Sequence, residues 1–243
     1  MKNHFIQQLT MAVLGVVVCG QASAVIINDD YWGADGFPKY SDRDRIGDER
    51  YEVYNMEVTF TDLFMNVKIN TNFINTTINP DPYGVDYGDL FISNNGWTPS
   101  GSSTDRYNAD NASNGEHWEY VFDTSENTLY GGAFSVLFSS DFFDANRYIF
   151  RNGPQEVQRG AGGDEIAGSS VDLDNAGSFI EYNVLLSSLG LTSSTDIGLR
   201  WEMTCANDAI EGAASYSVPE PATILMFGIG LLGLAFSKRA RVS

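Results

Sequence analysis

Two stretches of the chain alternate apolar and polar residues with a period of two. In the first, Leu63, Met65, Val67, Ile69, Thr71 and Phe73 alternate with Asp62, Asn66, Lys68, Asn70 and Asn72, with Phe64 the single exception. In the second, Ile197, Leu199, Trp201, Met203 and Cys205 alternate with Gly198, Arg200, Glu202 and Thr204. Successive side chains of a strand point to opposite faces, so both patterns predict half-buried strands with the first-named set toward a core. Shorter runs predict strands at Tyr51–Phe60, Asp89–Ser93, Glu116–Asp123, Ala133–Phe138, Tyr148–Arg151 and Phe179–Leu186, the first with a bulge near Asn55 where the alternation slips. Turn-forming clusters separate these runs at Asn79–Pro82, Asn94–Gly96, Asn111–Gly115, Asn152–Pro154 and Gly160–Gly163. Between the two ends no stretch sustains a helical period, although Val184–Leu189 could open a short helical turn, and no internal repeat supports a solenoid or propeller. The expectation is an all-β domain, an antiparallel β-sandwich or jelly roll.

The ends read differently. Met1 and Lys2 precede an apolar run, Met11–Val18, and then Gln21-Ala22-Ser23-Ala24. A charged start, a short apolar region and a small-x-small site predict a secretory signal peptide over 1–24, with Ala22 and Ala24 defining cleavage after Ala24. Val18 stands where a lipoprotein signal before Cys19 wants a small residue. At the other end Val218-Pro219-Glu220-Pro221 leads into fifteen largely apolar residues, Ala222–Phe236, and then Lys238, Arg239 and Arg241. As a helix of ~1.5 Å rise per residue the run measures about 22 Å, a minimal transmembrane helix for a hydrocarbon core of ~30 Å. The basic flank predicts a cytoplasmic terminus, with everything before the helix outside. Gly228, Gly230 and Gly233 have the spacing of a dinucleotide-binding fingerprint, but no strand precedes them and no acidic residue follows at the required distance, so they read as helix-packing surface. The predicted organisation is a signal peptide (1–24), an extracytoplasmic β-sandwich domain (25–217) and a C-terminal tail (218–243).

That tail resembles the PEP-CTERM sorting signal on which exosortases of Gram-negative, often biofilm-forming bacteria act. The resemblance implies that Val218, Pro219, Glu220 and Pro221 form the sorting motif, that Ala222–Phe236 is held transiently in the inner membrane, and that Lys238, Arg239 and Arg241 are its cytoplasmic basic anchor. Two prolines fix φ and remove backbone donors, which keeps the segment between domain and membrane extended and accessible. Three segments of the body, Gly88–Trp97, Trp118–Asp123 and Trp201–Asp208 with Glu211-Gly212, are similar to parts of exosortase-dependent surface proteins. They imply an extracellular β domain and bring no catalytic residues with them.

Charge sharpens this reading. The chain has 14 Lys+Arg against 32 Asp+Glu, a formal net charge of −18. Because Lys2, Lys238, Arg239 and Arg241 lie in the two ends, which hold only Glu220 as an acid, the domain between them is more acidic still. Such a surface repels phosphate backbones and anionic lipid headgroups alike, so neither is expected as a generic electrostatic partner, and nucleic acid is excluded. With Cys19 inside the signal, Cys205 alone remains, and no intrachain disulfide is available.

The inventory for catalysis is thin. Removing the signal leaves one histidine, His117, on the polar phase of its predicted strand, opposite Trp118, Tyr120 and Phe122, where it reads as solvated. Cys205 shares the core phase of Trp201 and Met203, where a thiol behaves as a small apolar group. Glu116 and Glu119 flank Trp118 but fall on opposite strand faces, so they do not form the carboxylate pair of a glycosidase. Oxygen ligands cluster in Asp42-x-Asp44-x-x-Gly47-Asp48, in Asp81–Asp89 and in Asp172-x-Asp174-Asn175. Asp42, Asp44, Asp48, Asp172 and Asp174 are the candidates for calcium, although no stretch completes an EF-hand loop and Gly160–Asp164 resembles one imperfect RTX nonapeptide without stacked copies. Trp32, Trp97 and Trp118 lie near Asn-, Gly- and Ser-rich loops, where they serve either core packing or sugar stacking.

These readings together predict a non-enzymatic protein without a required cofactor. It is exported by the Sec translocon, anchored briefly in the inner membrane, sorted by exosortase, and delivered to the cell surface or extracellular matrix in a structural or adhesive role. The alternative is a carbohydrate-binding module or glycan hydrolase acting on exopolysaccharide, marked by an aromatic groove with a close carboxylate pair.

Overall fold

The computed structural model describes residues 24–33, 44–75, 85–111, 114–138, 153–158, 162–174, 176, 178–204 and 206–218. Its strands are β1 (Ala24–Asn28), β2 (Val53–Phe60), β3 (Phe64–Thr71), β4 (Leu90–Ser93), β5 (Tyr120–Asp123), β6 (Thr128–Gly131), β7 (Val136–Phe138), β8 (Pro154–Val157), β9 (Asp164–Ile166), β10 (Ser170–Asp174), β11 (Phe179–Leu185), β12 (Thr195–Glu202) and β13 (Ala209–Tyr216). Antiparallel pairing builds a five-stranded sheet, β1-β2-β3-β11-β10, and a six-stranded sheet, β13-β12-β4-β5-β6-β9, while β7 and β8 form a separate ribbon. One core lies between the sheets. Val58, Val67 and Ile180 enter it from the first, and Leu90, Phe122 and Trp201 from the second, all sealed from solvent. This is the all-β antiparallel sandwich that the periodicity predicts.

The strands follow their patterns closely. In β3, Met65, Val67, Ile69 and Thr71 are buried, and the residues between them are half-exposed. The expected bulge in β2 is a register shift between Val53 and Asn55 against β3. Leu63 departs from its expected core position. The Thr61 N–H donates to the Phe64 carbonyl at 2.8 Å and its Oγ1 accepts from the Phe64 N–H at 2.9 Å, so the chain has already turned and Leu63 stands 62% exposed at the tip of the β2–β3 hairpin. Phe73 falls in a 3-10 turn, Phe73–Asn75. Val184–Leu189 divides between the two readings. β11 runs to Leu185, and a 3-10 turn, Leu186–Leu189, follows.

β12 differs most from its pattern. Arg200 and Glu202 point away from the core as the alternation requires, yet every residue from Ile197 to Glu202 is buried. The outer face of this sheet is covered. β13 was not visible in the sequence because its residues, Ala-Ile-Glu-Gly-Ala-Ala-Ser-Tyr, are mostly small and half of them face that cover. A Cβ at Gly212 would sit 2.6 Å from Ile27 Cγ2, so glycine is what lets β1 close over β13.

The predicted strand at Tyr148–Arg151, the signal peptide before Ala24, Cys205, and the tail beyond Val218 lie outside the described residues. No helix among the described residues is long and apolar enough to cross a membrane.

Candidate functional site

The cover of the second sheet creates the candidate site. Cross-strand register places Glu211, Arg200, Phe91, Val121 and Tyr130 in one row across β13, β12, β4, β5 and β6 on the outer face. The apolar part of this row, Phe91 and Val121, packs beneath the β7–β8 ribbon with Val157, Phe134 and Val136. Trp118 closes the edge, its ring 6.2 Å from Phe91 and tilted at 61°. Asp89 ties the cover down, because its carboxylate accepts the Thr124 N–H at 2.8 Å and the ribbon's Val157 N–H at 2.7 Å. Burial drives the Asp89 pKa well above the ordinary carboxylate range, against the pull of those two hydrogen bonds.

At the polar end of the row the ribbon runs over Arg200, which is 1% exposed. A Cβ at Gly153 would lie 1.9 Å from Arg200 Nη2, so glycine is needed where the ribbon crosses the guanidinium. Arg200 Nη1 donates to Glu211 Oε2 at 2.5 Å and to the Tyr31 hydroxyl at 3.2 Å, and Nη2 donates to Glu202 Oε2. Burial opposes the cation, but Glu202, Tyr31 and Glu211 outweigh it, and Arg200 stays charged. Tyr31 passes the connection on, since its hydroxyl donates to Asp110 Oδ2 at 2.8 Å, and Asp110 Oδ1 accepts the Ser100 N–H at 2.8 Å. Burial first and the charge of Glu211 second raise the Tyr31 pKa well above its usual value.

Glu116 completes the group. It accepts the Thr98 N–H, and its carboxyl lies with those of Asp110 and Glu211 so that one oxygen from each falls within 4.8 Å of the others. Desolvation, then the charge of Glu211 and a hydrogen bond to it, push the Glu116 pKa up to about 8. At neutral pH Glu116 therefore holds a proton, while Glu211 is committed to Arg200 and, through Oε1, to Trp97 Nε1 at 2.9 Å. These groups line a cavity of about 190 Å³ together with Trp118 and His117. A second cavity of about 310 Å³ lies on the other side of Tyr31 and Glu211, walled by Trp97, Tyr107 and Arg106.

Family comparison assigns the end of the chain. Residues 217–240 match the PEP-CTERM protein-sorting motif. The chain thus carries the mark of an exported, exosortase-dependent protein, as its Val218-Pro219-Glu220-Pro221 sequence and basic end indicate. Neither the curated proteins nor the solved structures give a match to it. Of the PEP-CTERM motif the structure describes Ser217 and Val218, which follow β13 directly, the Val218 N–H donating to Ser194 Oγ at 3.1 Å. Pro219, Glu220, Pro221, the run Ala222–Phe236, Lys238, Arg239 and Arg241 lie outside the described residues, as does Ala22, whereas Ala24 opens β1.

Among the described residues, the candidate calcium ligands Asp44, Asp48, Asp172 and Asp174 do not come together in the groups that their spacing suggests. Asp42 is outside the described residues, and the Asp48 carboxylate turns to the Arg50 guanidinium at 2.9 Å. Asp172 and Asp174 sit on β10, where Asp172 is exposed and Asp174 accepts the Ala176 N–H. Asp44 instead meets Asp29 and Asp208, with one oxygen from each within 4.8 Å. Asp208 also accepts the Val53 and Ala209 N–H groups. His117 is exposed and pairs with Glu119 at 3.1 Å; Glu119 faces Asn94 and Asn95 while Glu116 faces the cavity, although β5 begins only at Tyr120 and the predicted strand alternation does not extend over Glu116–Glu119. Sequence reasoning missed Tyr31, Asp110, Arg200, Glu202 and Glu211 as a group. The available signal was a lone arginine on the polar phase of the strongest strand with a glutamate two residues on.

Proposed function

We propose that this exosortase-sorted chain acts outside the cell as a non-catalytic, adhesive surface or matrix protein, and that its sandwich holds exopolysaccharide at the cleft over Arg200. The carrying observation is the pairing in one cavity of a half-buried indole, Trp118, with a proton-bearing carboxyl, Glu116. An aromatic face accepts the C–H face of a sugar ring, and a carboxyl kept neutral by burial and by its hydrogen bond to Glu211 does not present to acidic residues of a polymer the repulsion that a carboxylate would.

The same geometry argues against hydrolysis. A glycosidase needs two carboxyls free to act, about 5 to 9 Å apart across the scissile bond. Here both oxygens of Glu211 are held, by Trp97 and Arg200, and both oxygens of Asp110 are held, by Ser100 and Tyr31. Glu116 is left as an acid without a free nucleophile or base opposite it.

Affinity electrophoresis of the purified chain through gels loaded with neutral and acidic exopolysaccharides tests the reading. Retardation by a polysaccharide, weakened about tenfold or more by Trp118→Ala with the melting temperature little changed, supports it, tenfold being about 1.4 kcal/mol. Absence of retardation across the panel refutes it, and release of reducing ends would move the cleft to the hydrolase reading.

A further inference from the structure

The sorting tail leaves the sandwich at a defined place. β13 ends at Tyr216, and the apolar run begins at Ala222. The six Cα–Cα steps from Tyr216 to Ala222 reach at most about 22 Å even when fully extended. While the tail is held in the bilayer, the pole of the domain that carries Tyr216 is therefore within that distance of the hydrocarbon. Register identifies this pole. Tyr216 pairs with Thr195 at the start of β12, its ring lies 5.3 Å from that of Phe60 at the end of β2, and Thr59 pairs with Ala24 at the start of β1. The β2–β3 hairpin, the Leu186–Leu189 turn with the loop to Thr195, and both ends of the exported domain emerge together.

The composition of this pole differs from the rest of an acidic molecule. Leu185–Thr195 reads Leu-Leu-Ser-Ser-Leu-Gly-Leu-Thr-Ser-Ser-Thr, without a charge. Leu63, the most exposed large apolar residue of the described chain, stands at the hairpin tip. It is held there by the Thr61–Phe64 turn and by the Leu186 N–H, which donates to its carbonyl at 2.9 Å. Val218, where the chain leaves the domain, is 39% exposed, its N–H bonded to Ser194 Oγ in the loop before β12. The carboxylates at this pole are Asp62; Asp196, bonded by Ser215 at 2.6 Å; Glu119, which accepts from Asn94 and Asn95 beside the Leu186–Leu189 turn; and Asp164 at the start of β9. The opposite pole gathers acids in its loops and strand ends, among them Asp29, Asp44, Asp48, Asp86, Asp123 and Asp174. An anionic bilayer surface repels carboxylates within a Debye length of about 10 Å, so the end of the domain better fitted for close approach is the one with fewer of them and with the uncharged Leu185–Thr195 stretch.

We infer that, before the tail is removed, the hairpin pole docks on the bilayer surface, with Leu63 among the lipid headgroups and the acidic pole turned away. The inference rests on the tail being membrane-held, and the test separates the two. Full-length chain from cells lacking exosortase is reconstituted into vesicles of phosphatidylcholine and phosphatidylglycerol. A fluorophore is placed at Leu63→Cys or at Asp174→Cys in a Cys205→Ser background, or Cys205→Ala where serine unfolds the chain. Quenching by a lipid with a nitroxide headgroup is expected to be at least about threefold stronger at position 63 than at 174. Equal quenching, or stronger quenching at 174, with the chain resistant to alkaline extraction overturns the docking and leaves the tail reading intact. Loss of the chain on alkaline extraction defeats both. Protection at position 63 that appears only when exosortase is added assigns the pole to a protein partner and overturns the bilayer assignment.

Discussion

Replacing Arg200 by methionine isolates the electrostatics of the covered sheet face. Methionine keeps much of the side chain's apolar stem and removes the charge and all five donors. Glu202 and Glu211, 1% and 3% exposed, are then left without their counter-charge, and the Tyr31 hydroxyl and Pro154 carbonyl lose a donor. Removing one partner of a buried ion pair costs about 3–5 kcal/mol, because the orphaned charge stays desolvated. For a chain of this size, with about 2–4 °C per kcal/mol, the melting temperature should fall by roughly 6–20 °C at pH 8. The deficit should shrink toward pH 5. With Arg200 gone, the buried cluster carries uncompensated negative charge, which low pH relieves and high pH does not, so the variant's deficit is larger at pH 8 than at pH 5. Circular dichroism melts of both chains at pH 5 and pH 8 measure this, and the triple variant Arg200→Met, Glu202→Leu, Glu211→Leu should regain most of the loss, since a well-packed apolar replacement of a buried ion cluster is often neutral. A fall below about 3 °C at pH 8, or one independent of pH, would refute the reasoning.

Other consequences follow from the same geometry. Gly153→Ala should destabilise by about 1–3 kcal/mol through overpacking against the Arg200 guanidinium, read as a lower urea midpoint, and an unchanged midpoint would show that the ribbon does not cross there. Asp89→Asn replaces one of two buried acceptors by a donor facing an N–H, and should cost about 1–3 kcal/mol and speed hydrogen exchange at the Val157 amide while β3 stays protected. For Glu116 the folded pKa of about 8 lies above the ordinary value of 4.5, so the native state retains a proton that the unfolded chain has released. Its contribution is full below pH 4.5 and is lost as pH rises to about 8; Glu116→Gln should flatten the stability profile across that window, and a slope unchanged in the variant would remove Glu116 as its source.

The sequence revealed the fold where each residue has one job. β3 and the inward face of β12 carry a clean alternation because one side meets the core and the other meets solvent or polar cover, and the slip at Asn55 marked a real bulge. It concealed elements that break this condition. β13 is made mostly of small residues and is buried on both faces only over its first half, β10 is an edge strand whose Leu173 is exposed along with Asp172, and β8 begins at a proline that follows a glycine. The site was hidden for a different reason. Arg200 and Glu202 occupy polar positions of their strand, which ordinarily means solvent, and only the ribbon and Tyr31, distant in sequence, turn those positions into an interior. Glu116 was noticed beside Trp118, but nothing local showed that its partners would be Glu211 and Asp110. The sorting tail was legible throughout, because its order of prolines, apolar run and basic end acts without tertiary context.

The central claim, that the tail is a removable sorting signal for an exported acidic sandwich, is tested most directly by intact-mass analysis of the chain recovered outside cells with and without exosortase. With the enzyme, the recovered mass is expected to lack Ala222–Phe236 and the basic end, and without it the full tail should remain with the membrane fraction. Extracellular material that still carries the tail in exosortase-bearing cells would contradict the account.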